Sequence, residues 1–440
     1  MASPRLEALK RNNNNITKFD IYPNDGSEQI SLLRGISEIY YYENILSPTI
    51  SVQISVTTTG FDSPADDGTG AKINFADKIK SGAGEKVFLD FEDGLGQKIS
   101  FATDSRCLRL NHNDKLPETA KSASYIMELV SEEHLTNETV RVQKKYDGRI
   151  SESVRTILKE VVKTEKELDI ELTQNSYPFI GTNKKPFWTI TWLAKQSVPN
   201  IENAYGKTAG YFFFETRSGF NYKSIDGLFN QKVYPKFIYN KTTSAVVPVG
   251  YDGKILEYND TDNGDLKEQL KIGAYNSTTN MFNTFESVYN CNPLSWYDQT
   301  DVVKSLGMDF GKDINPKFTE QIQFSRIFQS NVNLGNMFSV EQSKVPVIEK
   351  EKITAQSNAR YNQVFKITLK IRIAGDFSLR AGDLIYCDFQ EISSRKTIVP
   401  NDRLSGLYMI SALCHHINRN PKETITSLEL VRDSYGRKPK

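Results

Sequence analysis

Phe365-Lys366-Ile367-Thr368-Leu369-Lys370-Ile371-Arg372-Ile373 is the stretch that decides the fold. Its apolar residues fall at every second position, and Lys366, Thr368, Lys370 and Arg372 fill the positions between. A β-strand turns successive side chains to opposite faces, so this alternation predicts a strand with one apolar and one charged or hydroxylic face. Gly375-Asp376 ends it, and Ala381-Gly382-Asp383 opens the next strand, residues 384–389. Residues 407–413 and 424–431 complete a set of strands joined by Gly, Asp and Asn turns, the pattern of an antiparallel sheet that closes on itself.

The same phrase occurs earlier in the chain. Gly84-Glu85-Lys86-Val87-Phe88-Leu89-Asp90-Phe91 and Gly382-Asp383-Leu384-Ile385-Tyr386-Cys387-Asp388-Phe389 share one order: Gly, acid, any residue, β-branched, aromatic, any residue, Asp, Phe. Met127-Glu128-Leu129-Val130 matches Leu428-Glu429-Leu430-Val431, and the two offsets, 298 and 301 residues, nearly agree. Residues 50–56 repeat the alternation of 365–373. Gly-acid before an apolar strand is a common turn-and-strand phrase on its own. Elements in one order at a near-constant offset favour duplication. The expected fold is therefore mainly β with α+β parts: two homologous tube-like antiparallel β-barrels plus two accessory domains. A Gly/Asp/Ser-rich insertion at 57–83 distinguishes the first copy.

At 440 residues and 50.0 kDa the chain is too long for one core. Its 24 Phe and 21 Tyr suit strands. Lys and Arg number 55 against 54 Asp and Glu, a balance that argues against a dedicated nucleic-acid binder. The cysteines Cys107, Cys291, Cys387 and Cys414 show no paired spacing and read as reduced residues of a chain made in a cytosol. The N-terminus lacks the build of a signal peptide, and the longest apolar cluster, 209–214, is too short to cross a bilayer, so a soluble protein is expected.

Strands predicted at 16–22, 30–42, 50–56 and onward to 130 make 16–130 the first barrel. Within it Ile39-Tyr40-Tyr41-Tyr42 is aromatic on both faces, so both faces are expected to be covered. Val154, Ile157, Leu158, Val161 and Val162 follow the spacing of an amphipathic helix, and Pro186 opens a second helix carrying Phe187, Trp188, Ile190, Trp192 and Leu193. Residues 131–208 thus read as an α+β accessory domain. Two aromatic strands around Arg217-Ser218-Gly219 predict a hairpin. Residues 241–349 are loosely patterned and read as an inserted β-rich domain, with 345–352 as its exit linker.

The search for chemistry returns little. His415 and His416 are strand neighbours pointing to opposite faces, and Cys414 with His416 makes two ligands and no metal site. His112 and His134 lack ligand-spaced partners. Gly250-Tyr251-Asp252-Gly253-Lys254-Ile255 is too short for a phosphate loop, and Gly82-Ala83-Gly84 and Gly94-Leu95-Gly96 lack the third glycine of a dinucleotide loop. No serine elbow or paired-histidine zinc motif occurs. Glu132 with Glu133 has the residue types of a glycosidase pair, but adjacent acids after a strand are more often a solvated turn. No catalytic, cofactor-binding or metal residue is assigned, no cofactor is expected, and a non-enzyme is expected.

Asn183 to Leu193, Gly210 to Asp226, Tyr361 to Ile373 with Ala381 to Phe389, and Ser405-Gly406-Leu407-Tyr408-Met409-Ile410 followed by Leu428 to Ser434 carry a resemblance. In these stretches, and in its domain order, the chain resembles the central baseplate hub protein of contractile-tailed phages, as in T-even phages. More distantly it is similar to the base of secretion-system spike proteins. The resemblance runs from Ile16 to Asp433 and is weakest across 57–83 and 241–349.

The resemblance implies two tube-like barrels side by side per chain, three chains forming a ring of six quasi-equivalent barrels, and a threefold object able to dock on a sixfold tube. It joins 209–240 with 350–434 as the second, discontinuous barrel. Expected partners are a second and third copy of the chain, a trimeric spike, a hexameric tail tube or tube initiator, tape-measure and baseplate wedge proteins, with DNA only in transit and no stable membrane insertion. The expected location is the virion tail baseplate, assembled in the host cytoplasm. Lys366, Lys370 and Arg372 are the candidates for the lumen or the contacts between barrels. The rival readings are a tail-associated peptidoglycan hydrolase with its acids in 131–208, and the base of a secretion spike, which usually continues into the spike.

Overall fold

A computed structural model describes residues 13–58, 63–64, 72–73, 79, 84–116, 122–200, 208–232, 234–240, 247–260, 265–283, 288–295, 303–309, 314–318, 327–332, 350–392 and 398–436. Most of the insertion at 57–83, and much of the inserted domain expected at 241–349, lie outside these residues.

The first half folds as alternating apolar strands: β1 (Asn14–Tyr22), β2 (Ile36–Asn44), β3 (Ser51–Thr58), β4 (Lys86–Asp93), β5 (Leu108–Lys115) and β6 (Ala123–Ser131). Their hydrogen-bonded order is β1-β4-β5-β6-β3-β2, antiparallel throughout.

The chain then becomes helical. α1 (Glu132–Thr139) is followed by α2 (Ile150–Thr156), which widens into a π-helical turn over Ile157–Val162 and stops at Lys163, φ +62°. Val154, Ile157, Leu158 and Val162 are buried there, as their spacing predicts. After β7 (Glu167–Ile170), α3 (Pro186–Ala194) starts at its proline. The predicted hairpin forms from β8 (Tyr211–Thr216) and β9 (Gly219–Ser224). Gly219, at φ +139°, is required there: a Cβ would stand 2.2 Å from the Glu167 carbonyl oxygen, where β7 pairs parallel to β9.

The sequence division put this hairpin with the second barrel, but its hydrogen-bonded partner is β7 of the α+β region. The reason is visible in its two faces. Tyr211 and Phe213 pack with α2 and α3, while Phe212 and Phe214 pack on Leu384, Met409 and Val431 of the second barrel.

That barrel contains β10 (Lys236–Tyr239) and β11 (Gly253–Asp260). Next comes a separate sheet of β12 (Asn276–Asn283), β13 (Val288–Ser295) and β14 (Ile327–Val332). Helix α4 (Lys350–Val364) leads into β15 (Ile367–Ala374), β16 (Leu384–Ile392), β17 (Gly406–Arg419) and β18 (Lys422–Arg432). The order β17-β18-β15-β11-β10-β16 closes through β16–β17 pairing into a six-stranded barrel. Two sequence readings change here. Residues 253–260, read as part of the inserted domain, are a strand of the barrel, because they pair with β15. Residues 345–352 read as an exit linker, but α4 already begins at Lys350, and it runs to Val364, so the strand starts at Ile367 and leaves Phe365 and Lys366 before it.

The two sheets are one unit used twice. β3-β6-β5-β4 and β15-β18-β17-β16 share strand order and register: Met127 faces Ile54 as Leu428 faces Ile371. Both carry an extra residue at one place, Asn111 between the pairs Leu110–Leu129 and His112–Glu128, and Ser411 between Ile410–Leu430 and Ala412–Glu429. A second bulge also repeats, Ser37 between Ile36–Val56 and Glu38–Ser55, and Leu256 between Ile255–Ile373 and Glu257–Arg372, which makes β2 the counterpart of β11. Gly84 and Gly382 both take positive φ, +72° and +88°. The Leu110 and Ile410 amides donate to Glu85 and Asp383, each at 2.9 Å. Alternation alone does not dictate where a bulge falls, so coincident bulges mark a common design.

The copies join edge to edge. β2 pairs with β17 from Asn44 opposite Ala412 to Glu38 opposite Asn418, which makes both sheets one continuous surface. Beneath it one core contains Phe19, Ile39, Tyr41, Ile54, Leu89 and Phe91 together with Ile371, Ile385, Ile410 and Leu428. The first sheet does not close by strand pairing among the described residues. Its first strand is tied instead by Asn14 Nδ2, which donates to the Asn418 carbonyl at 3.0 Å and to Thr424 Oγ1 at 3.1 Å.

Candidate assembly surface

The outward face of the continuous sheet follows from register. One row runs Glu128, Gln53, Tyr40, His416, Ile425 and Ala374; the next runs Ser51, Tyr42, Cys414, Ser427, Arg372 and Glu257. A third runs Asn44, Ala412, Glu429, Lys370 and Asn259. All are exposed or half-buried. Lys370 Nζ lies 3.7 Å from Glu429 Oε2, and Arg372 Nη1 lies 3.1 Å from Glu257 Oε2. Such exposed pairs contribute roughly 0–1 kcal/mol each and leave the face nearly neutral and hydrophilic. Lys366 is placed elsewhere, with its Nζ 5.3 Å above the Tyr275 ring. The structure therefore brings Lys370 and Arg372 together and sets Lys366 apart.

At the seam the outward face is aromatic. Tyr40 stacks on His416 with centroids 4.3 Å apart, and on Tyr42 at 6.5 Å. Tyr42 stays 37% exposed, so the covering expected for both faces of the tyrosine run is incomplete on this side within one chain. On the inner side Tyr41 is buried. Its hydroxyl donates to Glu43 Oε1 at 2.7 Å, which also accepts from the Arg217 amide at 2.7 Å, while Oε2 accepts from the Ala381 amide at 2.9 Å. Burial pushes the Glu43 carboxyl up to about 7, against the pull of those donors and of the Arg217 charge. Glu43 thus clamps the seam, the hairpin turn and the turn before β16. His415 lies buried, stacked on the Tyr41 ring with centroids 5.8 Å apart; burial, then the Arg217 charge, hold it down to about 3, so it is neutral.

Two buried ion clusters fix the other parts. Lys166 Nζ lies 2.6 Å from both Glu133 Oε2 of α1 and Glu215 Oε1 of β8, and Glu215 Oε2 accepts from the Ile50 amide at 3.1 Å. Burial works against the Lys166 charge, but the two carboxylates outweigh it and raise its pKa. Burial raises Glu215 in turn, against the attraction of Lys166. Arg360 of α4, fully buried, places Nη1 3.0 Å from Asp433 Oδ2 and Nη2 3.4 Å from Asp226 Oδ1, and donates to the Lys304 carbonyl at 2.5 Å.

The acid pair weighed for glycosidase chemistry is already engaged. Glu133 is held by Lys166 and by the Thr164 hydroxyl at 2.5 Å. Glu132 accepts from Arg109 Nη2 at 3.0 Å and from the Cys107 thiol at 3.2 Å; burial pushes its carboxyl up, but those bonds outweigh it and hold it low. Neither is the free, desolvated acid that protonates a leaving group. Among the described residues, no group of three or more His, Cys, Asp or Glu is arranged to hold a metal, and no helix is long and apolar enough to cross a membrane.

No protein-family model and no curated protein sequence matches the chain. Its architecture does match solved structures. A tail protein from Neisseria meningitidis MC58 aligns with a TM-score of 0.54 at 8% identity, over 96% of this chain and 98% of that one. The 43 kDa tail protein of prophage MuSo2 from Shewanella oneidensis aligns at 0.49 and 9% identity, over 95% and 98%. An E. coli component of the type VI secretion system, described as similar to T4 tail proteins gp27 and gp5, aligns at 0.38 and 10% identity, over 97% and 79%. The chain thus shares the fold of a known tail protein, in line with the resemblance read from its sequence.

Proposed function

We propose that the chain is a structural, non-enzymatic hub of a phage tail baseplate. In this reading it is a homotrimer that adapts a sixfold tail tube to a threefold central spike and forms part of the channel between them. One observation carries it: a single polypeptide contains the same sheet twice, with the same bulges, welded edge to edge. Three such chains present six near-identical units, so a threefold assembly can meet a sixfold one without unmatched edges.

Within this reading 16–130 and the strands of 236–434 are the ring-forming barrels, with Lys370 and Arg372 on the face toward the lumen or a neighbouring barrel. Lys366 supports the sheet of β12–β14 through Tyr275. The α+β region, docked on both copies through Lys166 and Arg360, holds the outside of the ring, and β12–β14 contact wedge or spike proteins. The partners are the spike, the tail tube and the tape-measure protein, with DNA in transit, and the location is the virion tail. The experiment is a mass measurement of the purified chain with an image of the assembly down its axis. Three chains with six barrels around a channel are expected; a monomer at high concentration, with no trimer when spike is added, overturns the reading.

A further inference from the structure

We propose that the tip of the β8–β9 hairpin is an anion-binding site, in which Arg106, Arg217 and Arg380 hold a phosphate-class oxyanion beside the Ser218 hydroxyl. The site is independent of the hub reading and stands whether or not the chain is a trimer.

The three arginines come from three parts of the fold. Arg106 lies in the turn before β5, Arg217 in the hairpin turn, and Arg380 in the turn before β16. They meet at the hairpin tip. Arg106 Nη2 donates to the Ser218 carbonyl at 2.5 Å, and Arg380 Nη1 donates to Ser218 Oγ at 3.2 Å. Arg217 Nη2 donates to the Ser378 carbonyl at 3.3 Å, two residues before Arg380. Each guanidinium is a fork of five donors, so one such bond leaves most of the fork available. Arg106, Arg217 and Ser218 are half-buried and the Arg380 side chain is 43% exposed, within reach of an ion from solvent. The turn itself is fixed, by Gly219 against Glu167 and by the Arg217 amide on Glu43.

The charges at this tip are poorly matched. Among the described residues, neither Arg106 nor Arg217 has a carboxylate at ion-pair distance, and Arg380 has only Asp383, with Nε 3.7 Å from Oδ2. Asp104, near Arg106 in sequence, pairs with Lys86. Asp383 and Glu43 lie behind the cluster, and burial pushes both carboxyls up, Glu43 to about 7. Three cations therefore face at most two carboxylates, each costly to ionise where it sits. Like charges gathered on one turn repel unless a counter-ion lies among them. An arginine fork matches an edge of a phosphate with two parallel bonds. A tetrahedral oxyanion offers several edges and can be shared by forks from three elements, whereas a planar carboxylate offers one. Ser218 Oγ accepts from Arg380, which leaves its own hydrogen to donate to the ion. A bound ion then ties the first barrel, the hairpin and the second barrel at one point.

The test titrates the full chain with inorganic phosphate by calorimetry at constant ionic strength, and with AMP as an esterified form of the same group. Saturable phosphate binding is expected, weakened about tenfold in Arg106→Gln and about tenfold in Arg380→Gln. Arg141→Gln, at an exposed arginine of the α+β region, should leave it unchanged. AMP binding tighter than phosphate assigns the site to a phosphate ester, and weaker binding assigns it to the free ion. A second measurement needs no variant: phosphate should protect Arg106, Arg217 and Arg380 from phenylglyoxal, read peptide by peptide by mass, and leave Arg141 labelled. Absence of saturable binding by either probe overturns the site, and so does phosphate that protects Arg141 as well as the other three.

Discussion

Replacing Lys166 by Met tests how the α+β region is held to the barrels. The ammonium is shared by two carboxylates, each 2.6 Å away, and all three side chains are at most 8% exposed. Met keeps most of the aliphatic stem, so the change is mainly electrostatic. Removing one partner of a buried ion pair leaves an uncompensated charge and costs about 3–5 kcal/mol. Here two carboxylates lose the same cation, so a loss near about 5 kcal/mol at pH 7 is expected.

The pH dependence supplies the sign. Without Lys166, burial and the neighbouring Glu133 charge hold the Glu215 carboxyl further above its unfolded value. Stability is then present at low pH and lost as pH rises through the folded value, so the deficit shrinks by up to about 1.4 kcal/mol per pH unit per group on acidification. Urea unfolding at pH 5 and pH 7, followed through Trp188 and Trp192 of α3, reads both effects. A loss below about 1 kcal/mol at pH 7, or an equal loss at the two pH values, refutes the account of a desolvated triad. Adding Glu133→Gln and Glu215→Gln should recover most of the loss.

Glu43 gives the clearest pH effect in the unmodified chain. Its carboxyl is raised by burial to about 7 in the folded state, so it contributes stability below about pH 4.5 that is lost as pH rises through 7. The wild type should lose about 3 kcal/mol more than Glu43→Gln between pH 4.5 and 8, measured by denaturation at constant ionic strength. Arg360→Met strands Asp226 and Asp433 and should cost about 3–5 kcal/mol, with hydrogen exchange rising first in α4 and in the strand end at Asp433. Gly219→Ala puts a Cβ 2.2 Å from the Glu167 carbonyl oxygen at φ +139° and should cost about 1–3 kcal/mol, read as a lower Tm, whereas Gly26→Ala, with nothing within 4 Å, should cost less.

The barrel strands were legible because they obey one local rule. Ile367 to Ile373 alternate, and so do Val52, Ile54 and Val56, so period and face could be read without knowing any partner. Helix α4 was not legible because its buried residues include Ser357, Arg360 and Gln363, which carry no apolar stripe; their burial depends on Asp433, Asp226 and the Ala274 carbonyl, far away in sequence. Strand 253–260 reads as polar loop because Leu256 to Asp260 are all exposed and only Gly253 and Ile255 turn inward. The hairpin at 211–224 could be recognised but not assigned, since aromatics on both faces say that two cores are served without saying which. The assembly face was half visible: Lys370 and Arg372 follow from alternation, whereas the Tyr40–His416 stack requires pairing between segments far apart in the chain.

The seam between β2 and β17 has a mechanical consequence. A ladder of backbone hydrogen bonds resists sliding and bending far more than an interface of packed side chains, which can shear or hinge. The two units are therefore joined as a rigid plate. A push or torque delivered to one unit passes through main-chain bonds to the other, with little slack to dissipate it.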